Sequence, residues 1–109
     1  MSNVEPAPAA ASVFAALGDP TRLALLAELS DGRPRSISAL SARSTLTRQA
    51  VTKHLRVLEN AGLVSSLRIG RESRFHYEPE KIEEARGFLD AVSARWDEAL
   101  ARLRAFVEE

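Results

Sequence analysis

The last third of the chain carries apolar residues at alternating spacings of three and four, without a break. This spacing predicts a single amphipathic helix over residues 80–108, with one continuous apolar stripe along it. The stripe comprises Ile82, Ala85, Leu89, Val92, Trp96, Ala99, Leu103 and Phe106, and it is widened by Phe88, Leu100 and Val107. A chain of 109 residues has room for one domain, and so small a domain cannot cover a stripe of this length alone.

Two arrangements would bury this stripe. A second copy of the chain can pack against it, with the N-terminal helix alongside, or the helix can fold back onto its own domain as a core helix. We favour the homodimer, because the stripe extends over the whole helix. The residues predicted at the dimer interface are Val13, Phe14, Leu17, Leu89, Val92, Trp96, Leu103 and Phe106.

Shorter helical patterns precede the long one. Gly18 suits the left-handed position after a first helix, and Asp19 followed by Pro20 is a strong helix start. Thr47 is placed to cap a fourth helix, so the third and fourth helices form a helix-turn-helix over residues 36–61. The four predicted helices cover residues 9–17, 20–30, 36–43 and 47–61.

After Gly62 the pattern changes from helical to extended. Two short strand-like runs flank Ile69-Gly70-Arg71-Glu72, which predicts a β-hairpin, or wing, over residues 63–77. The predicted fold class is therefore mostly α with a small β-hairpin. The chain is expected to form a single winged helix-turn-helix domain over residues 1–109, with a flexible arm at 1–9, and to dimerise through its N- and C-terminal helices.

Charge is unevenly distributed along a chain whose formal net charge is zero. Residues 33–74 hold nine bases and only two acids, Glu59 and Glu72, whereas the segments on either side are acidic. A basic middle on a neutral scaffold is typical of an element that binds phosphates. The alternative is a run of arginines that are merely solvated.

The predicted fourth helix has two distinct faces. Val51, Leu55 and Leu58 form an apolar stripe that would dock it, and the polar residues lie opposite. Such a helix can enter the major groove of double-stranded DNA, where Arg, Lys and Gln side chains pair with base edges. A polar outer face is also ordinary for a surface helix. The base-reading candidates are Arg48, Gln49, Thr52 and Lys53, and Arg56, one turn further on, is a candidate phosphate contact.

Three arginines surround the predicted hairpin tip. Arg71 at the tip could enter a minor groove, and Arg68 and Arg74 are candidate phosphate contacts. The alternative interpretation is a charged edge that prevents strand-to-strand aggregation.

The residues in this order resemble the ArsR family of bacterial winged-helix repressors. The resemblance extends from about Val13 to Phe106 and rests on residues 14–22 (FAALGDPTR), 46–58 (LTRQAVTKHLRVL) and 61–64 (AGLV), and on Gly70-Arg71. It implies a homodimer with its first and last helices at the interface. It also implies repression of promoters by occupation of an inverted-repeat operator.

The chain lacks the metal-binding residues of the metal-sensing relatives, so we predict that it binds no metal. The chain has no cysteine, and Ser36 to Leu40 occupy the stretch where such relatives often carry two. The last helix has no histidine. His54 is expected to pack within the domain and His76 to be structural, although a nickel- or zinc-type site joining His76 to nearby glutamates is a second interpretation. The closer likeness is to the cysteine-free branch of the family, with no cofactor.

Other classes of protein are disfavoured. The chain has no glycine-rich phosphate loop and no motif that supports a catalytic nucleophile, so an enzyme is not expected. Its start, Met1 to Ala11, lacks the basic region of a signal peptide, which predicts a cytoplasmic protein that does not enter a membrane. A winged-helix module that binds proteins instead of DNA is the remaining rival. The sequence leaves open whether a small-molecule or protein effector regulates it.

Overall fold

The computed structural model describes residues 8–108, and it contains five helices and a small sheet within that range. The predicted flexible arm lies outside the described residues at 1–7, and it is wrong at positions 8 and 9, which begin the first helix. The elements are α1 (Pro8–Leu17), α2 (Pro20–Leu29), β1 (Arg35–Ser36), α3 (Ile37–Ala42), α4 (Arg48–Asn60), β2 (Val64–Ile69), β3 (Glu72–Tyr77) and α5 (Glu80–Glu108).

Side-chain caps fix where three of the helices start. The carboxylate of Asp19 accepts a hydrogen bond from the backbone N–H of Arg22 at 3.0 Å, and Pro20 follows as the first residue of α2. The hydroxyl of Thr47 accepts from the N–H of Ala50 at 3.1 Å at the start of α4. Both predicted caps are therefore confirmed. The third cap is Ser36, whose hydroxyl accepts from the N–H of Ala39 at the start of α3.

Three glycines adopt the left-handed conformation in turns, but Gly18, for which it was predicted, does not. The φ angle of Gly18 is not positive, so the prediction of a left-handed Gly18 was wrong. Its N–H donates a hydrogen bond to the carbonyl of Ala15 at 3.3 Å, which ends α1 in a tight turn instead. Gly32, Gly62 and Gly70 do have positive φ angles, of 84°, 78° and 64°. Gly62 reverses the chain after α4, and this reversal brings the wing back beside that helix.

Replacing Gly62 with alanine should destabilise the protein by about 1–2 kcal/mol, the cost of a left-handed conformation with a Cβ. The new Cβ would also lie 3.0 Å from Cγ of Lys81. The matched control is Gly87→Ala in α5, where the new Cβ would meet no atom within 4 Å outside the adjoining helix backbone, and alanine should stabilise the helix by about 0.5–1 kcal/mol. Urea unfolding at a fixed protein concentration measures both changes. Equal stability of the two variants would contradict this account of Gly62.

The wing is part of a three-stranded antiparallel sheet with the order β1-β3-β2. Strands β2 and β3 pair from Val64 opposite Tyr77 to Ile69 opposite Glu72, which leaves a two-residue loop. Gly70 comes first in that loop and alone has a positive φ, the pattern of a type II′ turn. The predicted hairpin is confirmed. Strand β1 was not predicted, because two residues carry no recognisable alternation.

One apolar core holds these elements together. Leu29, Leu55, Leu58 and Phe75 are buried at its centre, and they join α2, α4 and the sheet. Helix α1 packs against the first half of α5, where the rings of Phe14 and Phe88 lie 6.0 Å apart.

Helix α5 extends well beyond this core. It has 29 residues and is about 43 Å long, and Ala85 is the one residue of the helix that is buried. The radius of gyration is 18.6 Å, whereas a compact chain of this length has about 13 Å. Trp96 and Phe106 are 64% and 77% exposed, so the alternative of a core helix is wrong for the second half of α5.

The predicted interface residues divide into three groups. Val13 is completely buried inside the protomer and has no surface left for a partner, so its assignment to the interface is wrong. Phe14, Leu17 and Val92 are half-buried. The exposed members are Leu89, Trp96, Leu103 and Phe106, and Leu100 and Val107 extend the same exposed face.

Candidate nucleic-acid interface

Helix α4 is docked by its apolar stripe and presents its polar face to solvent. Val51, Leu55 and Leu58 are completely buried. On the other side Arg48, Gln49, Lys53 and Arg56 are exposed, and Asn60, which the sequence analysis did not single out, is exposed as well. At 100° per residue, Asn60 shares the face that carries Gln49, Lys53 and Arg56.

Thr52 is the least accessible of the candidates on α4. It is half-buried, and its hydroxyl donates a hydrogen bond to the carbonyl of Arg48 at 2.7 Å. With the hydroxyl proton engaged, Thr52 can offer a DNA base only its methyl group and an oxygen lone pair.

Two of the predicted DNA-binding arginines are ion-paired within the protein. Arg56 Nη1 lies 3.0 Å from Glu59 Oε1, and Arg74 Nε lies 3.1 Å from Glu72 Oε2. The four other cations form no salt bridge with any residue of the described range, so their charge is fully available to an anionic ligand: Arg48, Lys53, Arg68 and Arg71.

An open cleft joins the start of α4 to the tip of the wing. Its volume is about 380 Å³, and Arg48 and Arg71 both line it. The structure therefore brings together two cations that are 23 positions apart in the sequence. The cleft is also lined by an acid, an apolar residue and three serines, none of them among the predicted DNA-binding residues: Glu72, Ile37, Ser36, Ser38 and Ser73.

The three wing arginines do not share one face. Arg68 pairs with Ser73 across the hairpin, whereas Arg74 pairs with Leu67. Because neighbouring residues of a strand point to opposite faces, Arg68 and Arg74 lie on opposite sides of the wing, with Arg71 between them in the turn. A DNA backbone passing one side would meet only one of the two.

His54 lies within the domain, as predicted. Its Nδ1 lies 3.5 Å from Nη1 of Arg22 and 3.9 Å from Oδ2 of Asp19. The guanidinium of Arg22 also donates to the carbonyls of Ala15 and Ala16 at the end of α1. The imidazole therefore belongs to a polar joint between α1, α2 and α4.

His76 makes local contacts on the wing. Its Nε2 lies 2.8 Å from Oε1 of Glu78 and 2.9 Å from Oγ of Ser65. No set of three or more His, Cys, Asp or Glu side chains in residues 8–108 is arranged to hold a metal ion. The described residues thus give no support to a nickel or zinc site at His76.

Glu59 connects α4 to the wing. Its second carboxylate oxygen, Oε2, accepts a hydrogen bond from the hydroxyl of Ser66 in β2 at 2.8 Å. This hydrogen bond, with the nearby charge of Arg56, holds the pKa of Glu59 below its usual value. The carboxylate is therefore ionised at neutral pH.

Searches against known proteins give consistent results. A helix-turn-helix domain model matches residues 17–66. The chain is 45% identical over 78 residues to the uncharacterized HTH-type transcriptional regulator YuzN of Bacillus subtilis, covering 64% of this chain and 85% of that protein. In the part of the chain that the structure describes, no helix combines the length and apolarity needed to cross a membrane.

Solved structures share the fold along most of the chain. An ArsR-like transcriptional regulator from Rhodococcus sp. RHA1 matches with a TM-score of 0.78 and 39% identity, over 90% of this chain and 92% of that one. The homodimeric winged helix-turn-helix DNA-binding domain of a Mycobacterium bovis protein matches with a TM-score of 0.62 and 28% identity, over 86% and 83% of the two chains. These matches confirm the predicted winged helix-turn-helix fold and the family resemblance. This chain belongs to the ArsR family of winged helix-turn-helix transcriptional regulators.

Proposed function

We propose that this regulator is a repressor that binds an inverted-repeat operator in double-stranded DNA as a homodimer, and that it catalyses no reaction. The observation that carries the proposal is the outer face of α4. There Arg48 and Lys53 are exposed and form no salt bridge with residues 8–108, on a helix anchored by three completely buried residues. A rigid helix with free cations is what entry into a major groove requires.

The side chains of α4 and the wing have different roles in this proposal. Gln49 pairs with an adenine, and Lys53 donates to guanine acceptors in the major groove. Arg48 and Arg71 line one cleft, and there they hold the backbone between the groove that α4 enters and the groove that the wing tip reaches. The remaining candidates, Thr52, Arg56, Arg68 and Arg74, contact phosphates or a thymine methyl at the edges of this surface.

The exposed face of α5 is the proposed dimer interface. It is continuous with the face that packs on α1, and its exposed members include Trp96, Leu103 and Phe106. The homodimeric Mycobacterium bovis domain supports a second copy as the partner. A two-fold axis would then place the two α4 helices in successive major grooves, about 34–36 Å apart.

Fluorescence anisotropy with the purified protein tests the proposal. One labelled duplex spans the promoter region of the protein's own gene, and a second has the same bases in scrambled order. We expect saturable binding that favours the promoter duplex by about a thousandfold or more and weakens steeply as salt is raised. If the folded, dimeric protein binds neither duplex at low salt, the DNA-binding proposal is wrong and the protein-binding module replaces it.

A further inference from the structure

Glu59 is the one acid on α4, the helix proposed to enter the DNA. Its two carboxylate oxygens have different partners: Oε1 accepts from Arg56 on the same helix at 3.0 Å, and Oε2 accepts from Ser66 on β2 at 2.8 Å. The side chain is 26% exposed, so it lies at the surface between the two elements. One carboxylate thus pairs with a surface arginine and joins α4 to the wing.

A negative charge at this position opposes DNA binding by simple electrostatics. At 100° per residue Glu59 lies about one sixth of a turn from Arg56 and close to Thr52, at the edge of the polar face of α4. Phosphates would repel it, and its pairing with Arg56 restricts which phosphates this arginine can reach. Such a charge can still increase specificity, provided that it weakens binding to other DNA sequences more than binding to the operator.

Phosphate contacts carry no sequence information, and they supply most of the affinity for random DNA. An arginine free to reach any phosphate would strengthen binding to every duplex, whereas base contacts require α4 and the wing in one fixed arrangement. We propose that Glu59 is a specificity-determining residue, which restrains Arg56 and fixes the wing against α4 so that sequence-independent binding is suppressed. This inference rests on the proposed DNA-binding function.

Glu59→Gln tests the proposal, because the amide keeps the shape and can still accept from Ser66 while it releases Arg56. We expect the affinity for the scrambled duplex to rise about three- to tenfold. The plot of log affinity against log salt should steepen by about 0.9 for each additional phosphate that the protein neutralises. The affinity for the promoter duplex should rise less, so the preference for the promoter falls.

Two further proteins separate this role from a general effect of charge. Glu83 also pairs with an arginine three residues away, Arg86, but on α5, outside α4 and the wing. Glu83→Gln should therefore leave the affinities for both duplexes unchanged. In an Arg56→Ala background, Glu59→Gln should raise the affinity for the scrambled duplex by less, because the released cation is absent and only the loss of phosphate repulsion remains. The midpoint of urea unfolding checks that each variant is folded.

The outcomes are distinct. A rise in scrambled-duplex affinity that depends on Arg56 supports the proposal. An unchanged or lower affinity in Glu59→Gln overturns it, and so does a rise of the same size in the Arg56→Ala background. If the unmodified protein binds neither duplex, the proposed function itself fails, and the role of Glu59 fails with it.

Discussion

Replacing Leu103 with glutamate should leave a folded protomer that no longer dimerises and binds its promoter duplex about a thousandfold more weakly. Leu103 is 59% exposed on the part of α5 that projects beyond the core, so the protomer loses little packing. In a two-fold interface each copy contributes its own glutamate, and an apolar seam cannot solvate either charge. Joining two DNA-binding units raises affinity by about 10²–10⁴, and the monomer forfeits that advantage.

Analytical ultracentrifugation measures the change in mass, and Trp96 gives a second signal. It is the one tryptophan of the chain, and it is 64% exposed in the protomer, so its emission should shift to shorter wavelength when two copies associate. The matched control is Ala101→Glu, which puts the same charge on the exposed opposite side of α5 and should leave the dimer intact. A Leu103→Glu protein that remains dimeric with full DNA affinity would place the interface elsewhere.

Local chemistry explains why much of the fold could be predicted. Asp19 and Thr47 cap helices through hydrogen bonds to N–H groups three residues away, so the signal and the contact lie in one short segment. The two-residue hairpin loop is likewise set by Gly70 alone. The family resemblance then ordered these pieces into one winged helix-turn-helix.

Features that depend on tertiary packing could not be read from the sequence. The pattern marks Val13 as apolar, but it does not show whether that side chain faces its own core or a second copy. Strand β1 exists because β3 offers it a partner, and Arg35 opposite Phe75 leaves no local pattern. Such assignments require knowledge of which elements lie next to each other.

The candidate site also combines local contacts, which could be predicted, with contacts that depend on tertiary packing. The pairing of Arg56 with Glu59 follows from their spacing of three on a helix, and it could have been predicted. The contact of Glu59 with Ser66 requires the reversal at Gly62, which returns β2 beside α4. The shared cleft of Arg48 and Arg71 likewise requires the complete fold.

The double replacement Arg48→Ala, Lys53→Ala should weaken binding to the promoter duplex about a hundredfold or more, without loss of the dimer. Both side chains are exposed and form no salt bridge with residues 8–108, so the protomer loses no ion pair. A dimer loses four cations at the DNA surface. A good contact to a base is worth about 1–3 kcal/mol, and about 1.4 kcal/mol corresponds to a tenfold change.

The dependence on salt then identifies what each lost side chain touched. A phosphate contact adds about 0.9 to the steepness of the salt plot, whereas a contact to a base edge adds to sequence preference. The control Arg86→Ala, Arg104→Ala removes the same charge from two exposed positions on α5 and should change neither quantity. If the control weakens binding as much as the test variant, net charge and not the α4 surface determines the affinity. A smaller preference for the promoter with an unchanged salt plot would assign both residues to bases. A flatter plot with an unchanged preference would assign them to the backbone, and Gln49 would be left as the main reader of sequence on α4.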